Sequence, residues 1–190
     1  EICRRLLRDV IGSVRLVESN NGYRSYDLYV AELAAARSEK VAIEILDTED
    51  AATTREVRAR RLLAKTLGDL PLYGVFPVFE IDVFKESTFL LMPAADGSLR
   101  ESGRMRLLDF VVMGLDVLRG LICIDMAGLA HRTLSESNIL RKRDRWFVSD
   151  FSGSAKHGDM NVHEVASDAY VLFSIIQDKL RKVVVDEPMR

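Results

Sequence analysis

The polar side chains whose types and spacing could do chemistry lie between residues 131 and 152. The run His-Arg-Thr-Leu-Ser-Glu-Ser-Asn (131–138) closes on the Asn138 amide, and twelve residues later Asp150 opens Asp-Phe-Ser. Between them, two short apolar runs flank the basic turn Arg-Lys-Arg-Asp-Arg (141–145), so Asn138 and Asp150 stand at the two ends of one predicted hairpin. An amide oxygen and a carboxylate so arranged suit Mg²⁺, provided phosphate oxygens and waters complete the octahedron. That is how a metal-assisted phosphoryl-transfer site is laid out. The same two side chains can also simply satisfy backbone donors of their own loops.

The elements that must position these loops follow from periodicity. Residues 1–9 pair Ile2 with Leu6 at helical spacing, and 12–33 read as two strands around a turn at Asn20-Asn21-Gly22. Residues 39–46 alternate as a third strand. The segment 47–68 is acidic early and basic late, with Gly68 as terminator, which predicts a helix. Two more strands are expected over 72–84 and 87–93, which makes a five-stranded antiparallel sheet with one helix inserted. A connector near 94–98 leads to a long helix over 104–127. Leu108, Val111, Leu115, Leu118 and Ile122 mark the face it is expected to bury. A final helix is predicted over 163–182. The expectation is an α+β fold in two parts, 1–94 and 95–190.

In that order, three segments are in register with a known pattern. "HRTLSESN" matches His-Arg-Asp-Leu-x-x-x-Asn in spacing, "DFS" stands where Asp-Phe-Gly follows, and "VAIE" (41–44) stands where Val-Ala-Ile-Lys ends a third strand. Over about residues 14 to 180 the chain resembles a protein kinase, with a small antiparallel sheet plus helix as N-lobe and a mostly helical, truncated C-lobe. The apolar segment before the connector and "HRTLSESN" are also similar, diffusely, to the rhoptry kinases and pseudokinases that apicomplexan parasites secrete.

The resemblance implies roles, and several positions depart from them. Glu44 takes the place of the strand lysine. Beside a polyphosphate this turns attraction into repulsion, each on the order of 4 kcal/mol at about 4 Å and an effective dielectric near 20. Thr133 takes the place of the catalytic base, a function that typically contributes roughly 10²–10⁴-fold. Ser135 replaces a lysine on the same loop, and Ser152 replaces the glycine after Phe151, narrowing φ where kinases switch conformation. Near Gly22 the phosphate-cradling loop keeps one glycine among bulky tyrosines. Asn138 and Asp150 match the two metal ligands. Glu56 matches the helix glutamate that pairs the strand lysine. Arg60 or Arg58 is a candidate partner for Glu44 in a reversed bridge, with a solvated basic helix face as the alternative. His131 and Phe151 match packing residues. Arg132 matches the residue that receives a phosphorylated activation loop, with Ser152 and Ser154 as conceivable acceptors. Asp168 matches the aspartate that anchors the catalytic loop, or caps its own helix.

The implied function is that of a pseudokinase: no phosphate transfer and no cofactor, and action through another protein as scaffold or allosteric regulator. The alternatives are a divergent metal-dependent phosphotransferase with weak Mg²⁺ and ATP binding, and a structural module of a larger assembly. The compartment implied by the narrower resemblance is a secreted parasite one, with the cytoplasm as alternative. Charge nearly cancels, 27 Lys plus Arg against 29 Asp plus Glu, so nucleic acid is not an expected partner. No apolar run is long enough to span a bilayer. Cys3 and Cys123 stand alone and outline neither a zinc site nor a disulfide framework.

Overall fold

The computed structural model describes residues 11–18, 26–33, 40–68, 73–160 and 167–184. The leading helix expected over 1–9 and the turn at Asn20-Asn21-Gly22 lie outside them. The described residues form a mixed α+β fold with three α-helices and a small antiparallel sheet. The chain divides into two compact units, one holding 1–54 and 77–94, the other 55–76 and 95–190.

The first unit is a five-stranded sheet of β1 (Ile11–Glu18), β2 (Tyr26–Leu33), β3 (Lys40–Asp47), β4 (Glu80–Phe84) and β5 (Ser87–Pro93), in the order β1-β2-β3-β5-β4. Every pairing is antiparallel. Strand β5 alternates as the two-residue period requires, burying Thr88, Leu90 and Met92. Ala42 and Leu46, paired with Met92 and Thr88, share the face of these three, whereas Ala31, Val41 and Ile43 are buried on the opposite face of the sheet. Thr88, buried on the first of these faces, is satisfied by the Thr48 hydroxyl at 3.0 Å.

Helix α1 (Ala51–Leu67) starts where Asp50 accepts the Ala52 N–H at 2.9 Å. It stops at Gly68, whose left-handed φ of 51° lets its N–H reach the Ala64 carbonyl. From Arg55 onward α1 belongs to the second unit. That unit is built on α2 (Leu107–Met126), which packs with a three-stranded sheet of β6 (Gly97–Ser98), β8 (Ile139–Lys142) and β9 (Arg145–Val148). Strand β7 (Leu129–Ala130) pairs with β10 (Ala155–Lys156), and α3 (Ser167–Val184) packs against α2. Its core runs through Leu63, Met113, Val117, Ile124, Ile139, Val148, Phe151 and Leu172.

Two expectations are corrected. Residues 72–84 are not one strand. Only Glu80–Phe84 joins the sheet, whereas Val75 bridges Val148 in parallel and the Phe76 N–H bonds the Val148 carbonyl at 2.8 Å. Gly74 at φ 75° turns the chain, and Pro77 has no N–H to continue a ladder. The second correction concerns α2. Leu108, Val111, Leu115, Leu118 and Ile122 are all exposed, between 44% and 69% accessible, and the buried stripe is Phe110, Met113, Asp116, Val117, Gly120, Leu121 and Ile124. The helix is apolar on both sides, so spacing defines two stripes without saying which faces in. Gly120 and Asp116 decide it. Gly74 packs so closely on Gly120 that a side-chain carbon there would meet the Gly74 oxygen at 2.2 Å. The buried Asp116 carboxylate takes two Arg145 N–H bonds, at 2.7 and 2.9 Å, and the Trp146 N–H at 3.1 Å.

Candidate functional site

Glu44 belongs to the first unit, whereas Glu56, His131, Arg132, Thr133, Ser135, Asn138, Asp150, Phe151, Ser152 and Asp168 belong to the second. Glu44 is half-buried in mid-β3, between Leu28 of β2 and Leu90 of β5.

Around the loop after β7, local sequence and tertiary contact agree. Asp168, in the first turn of α3, accepts the His131 N–H at 2.6 Å and the Arg132 N–H at 2.8 Å. It therefore anchors another loop. Arg132 sits at φ 67°, a left-handed conformation a long side chain rarely adopts, and this carboxylate holds it there. His131 is fully buried, its Nε2 on the Ser149 carbonyl at 2.8 Å and its ring 5.1 Å from that of Phe151. Since a carbonyl can only accept, Nε2 carries the proton and Nδ1 is the acceptor. Burial pushes the imidazole pKa down; the Ser149 hydrogen bond and the Asp168, Asp150 and Glu56 charges oppose it.

Thr133 turns its hydroxyl into the loop contact, 3.3 Å from the Asp150 carbonyl and 3.4 Å from His131 Nδ1. Its methyl packs on Gly153 so tightly that a side-chain carbon at 153 would lie 2.2 Å from it. Asn138 is buried and donates Nδ2–H to the Thr133 carbonyl at 2.7 Å, while its own carbonyl accepts the Ser149 N–H at 2.9 Å. Asp150 sits at φ 63° and its Oδ1 accepts the Ser152 N–H at 3.2 Å. Ser135 precedes the short 3₁₀ turn Glu136–Asn138 in extended conformation and makes no side-chain cap. Ser154 is buried, unlike an accessible acceptor for modification.

Helix α1 supplies the contacts that sequence reasoning missed. Glu56 is buried; one carboxylate oxygen accepts the Phe151 N–H, and the other accepts the Arg60 Nε–H at 2.9 Å. Arg60, a candidate partner for Glu44, thus engages Glu56, gives Nη1–H to the Phe76 carbonyl, and lies 4.5 Å over the Phe151 ring. Arg55 donates to the Ser152 carbonyl. Three side chains of one helix hold the 151–152 backbone and ring. The i,i+4 spacing of Glu56 and Arg60 was the signal in the sequence.

Among the described residues no three His, Cys, Asp or Glu side chains converge as a metal site. Asn138 and Asp150 contribute a single formal negative charge, so the protein alone does not complete a Mg²⁺ shell; phosphates and waters would have to. No helix among the described residues is long and apolar enough to cross a membrane. The chain matches no protein-family model and no curated protein.

Proposed function

We propose that this chain is a pseudokinase: a kinase-like two-lobed domain that does not transfer phosphate and acts by binding another protein as scaffold or allosteric regulator. One observation carries the reading. Thr133 and Asn138 on the loop after β7, and Asp150 after β9, are engaged by the protein's own groups, with Thr133 packed against Gly153. Two further features support it. In the resemblance to a kinase Glu44 replaces the strand lysine that would meet nucleotide phosphate, and Glu56 takes its positive partner from Arg60 of its own helix. Arg132 in a left-handed conformation tied to Asp168, and Asp150 in the same conformation, are strained positions kept by their surroundings, which is how a retained scaffold is built.

A ligand that binds only the native state raises its stability. Melts at about 5 mM ATP, with and without Mg²⁺ or Mn²⁺, are expected to leave Tm unchanged. A metal-dependent rise accompanied by phosphate transfer would replace this reading with the divergent phosphotransferase.

A further inference from the structure

We propose that the outward face of α1 is a docking surface for an acidic segment of a partner protein, whose aspartates or glutamates meet a basic stripe. This face gives the protein-binding reading its contact surface, and it rests on that reading for the partner being a protein. Arg58, Arg61 and Lys65 are exposed, and none of the three has a hydrogen-bonded or ion-paired partner among the described residues. At about 100° per residue they fall within about 60° of one another around the helix. The buried residues Glu56, Ala59, Leu63 and Leu67 lie on the opposite side, so the stripe points away from the core. Arg55 flanks it, with its Nε–H on the Ser152 carbonyl. From Arg55 to Lys65 the four cations run about 15 Å along the axis.

Charge selects the occupant. Glu56 is the only acidic residue of α1, and it is committed to Arg60 and to the Phe151 N–H. Nothing on the helix therefore offsets the repulsion between Arg58 and Arg61 or between Arg61 and Lys65, which stand three and four residues apart, where side chains are neighbours. Carboxylates at matching intervals on a partner relieve that repulsion, and a guanidinium fork takes a carboxylate through two parallel N–H bonds. A protein segment fits better than other polyanions. Helix α1 has no aromatic residue on which bases could stack. Its exposed positions include no large apolar side chain to enter a bilayer surface. The whole chain, at a net charge of −2, exerts no long-range pull on nucleic acid or anionic lipid.

The test uses the whole 190-residue chain and a fluorescein-labelled, alanine-based peptide of about 16 residues with glutamates three and four apart along one face. Anisotropy is expected to show saturable binding with Kd of about 10–100 μM at ~50 mM salt. The binding should vanish at about 1 M salt, where screening leaves a range of only about 3 Å. Arg58→Glu with Arg61→Glu should weaken it by about tenfold or more, keep the circular dichroism spectrum, and gain affinity for the lysine version of the peptide. Arg58→Gln with Arg61→Gln should act in the same direction and by less. Arg100→Gln with Arg181→Gln removes the same charge at exposed sites outside α1 and should leave binding unchanged. No saturation by about 1 mM peptide overturns the proposal. So does an equal loss in the Arg100 and Arg181 variant, or tighter binding of a phosphoserine peptide, single-stranded RNA or phosphatidylserine vesicles. Failure here with silent ATP melts rejects the surface alone. A metal-dependent ATP response with peptide binding kept rejects the pseudokinase reading and leaves the surface supported.

Discussion

At the scale of single residues, the candidate site is a set of polar groups that satisfy one another in a buried setting. Glu56 and Arg60 illustrate the energetics. Removing one member of a buried pair leaves an uncompensated charge, so Glu56→Ala is expected to cost about 3–5 kcal/mol in urea unfolding. Adding Arg60→Met should recover more than half of that loss, because an apolar side chain of similar length can fill the site. Additive losses in the double-mutant cycle would show that the two residues do not act as a pair. His131 makes a second prediction. Its folded pKa lies below the ordinary value of 6.5, so the folded state binds fewer protons than the unfolded one in mild acid. Its contribution to stability is complete above about pH 6.5 and is lost as pH falls below it, towards the depressed folded value. Tm measured from pH 8 to 5 should fall through that window, and His131→Asn should flatten that part of the profile.

At the scale of elements, the contacts of α2 are set by which of its glycines is crowded. Gly120→Ala places a methyl 2.2 Å from the backbone oxygen of Gly74, a neighbour that cannot rotate away. The variant should lose about 1–3 kcal/mol despite a better helix former, because overpacking outweighs propensity. Gly114→Ala meets only the Ile176 side-chain terminus at 3.5 Å. It should be neutral or up to about 1 kcal/mol more stable. Equal urea midpoints for the two variants would remove the Gly74–Gly120 contact as the reason this face turns inward. The elements themselves were legible to different degrees. Strand β5 matches the span expected, 87–93, because its short apolar run is bounded by Lys85-Glu86 on one side and by Pro93 on the other. Residues 73–76 were not legible, since their apolar side chains suit a strand in either unit.

At the scale of the whole molecule, function depends on whether the replaced positions are the cause of the proposed inactivity. If Glu44 and Thr133 are the decisive losses, Glu44→Lys with Thr133→Asp should introduce an Mg²⁺-dependent Tm rise with ATP that the parent chain lacks. If the Glu56–Arg60–Phe151 clamp also opposes nucleotide, the double variant should stay silent until Arg60→Ala is added. Melts of the three chains side by side decide between them. Phosphate transfer by the parent chain would reject both.

The residues by themselves determined what is local: the order of strands and helices, the apolar runs about the basic turn, and the spacing that sets Asn138 and Asp150 at the ends of one hairpin. Capping and alternation act over a few residues, so a single chain carries that information. Only tertiary structure decided that Arg60 faces Glu56 and Phe151, that Thr133 lies under Gly153, and that Asp168 ties down Arg132. It also decided that the evenly spaced leucines of α2 look outward. A helix apolar on two sides has two equivalent stripes in sequence, and the choice falls to the close approach of Gly74 to Gly120 and to the buried Asp116. Both are contacts between segments far apart in the chain, which periodicity does not encode.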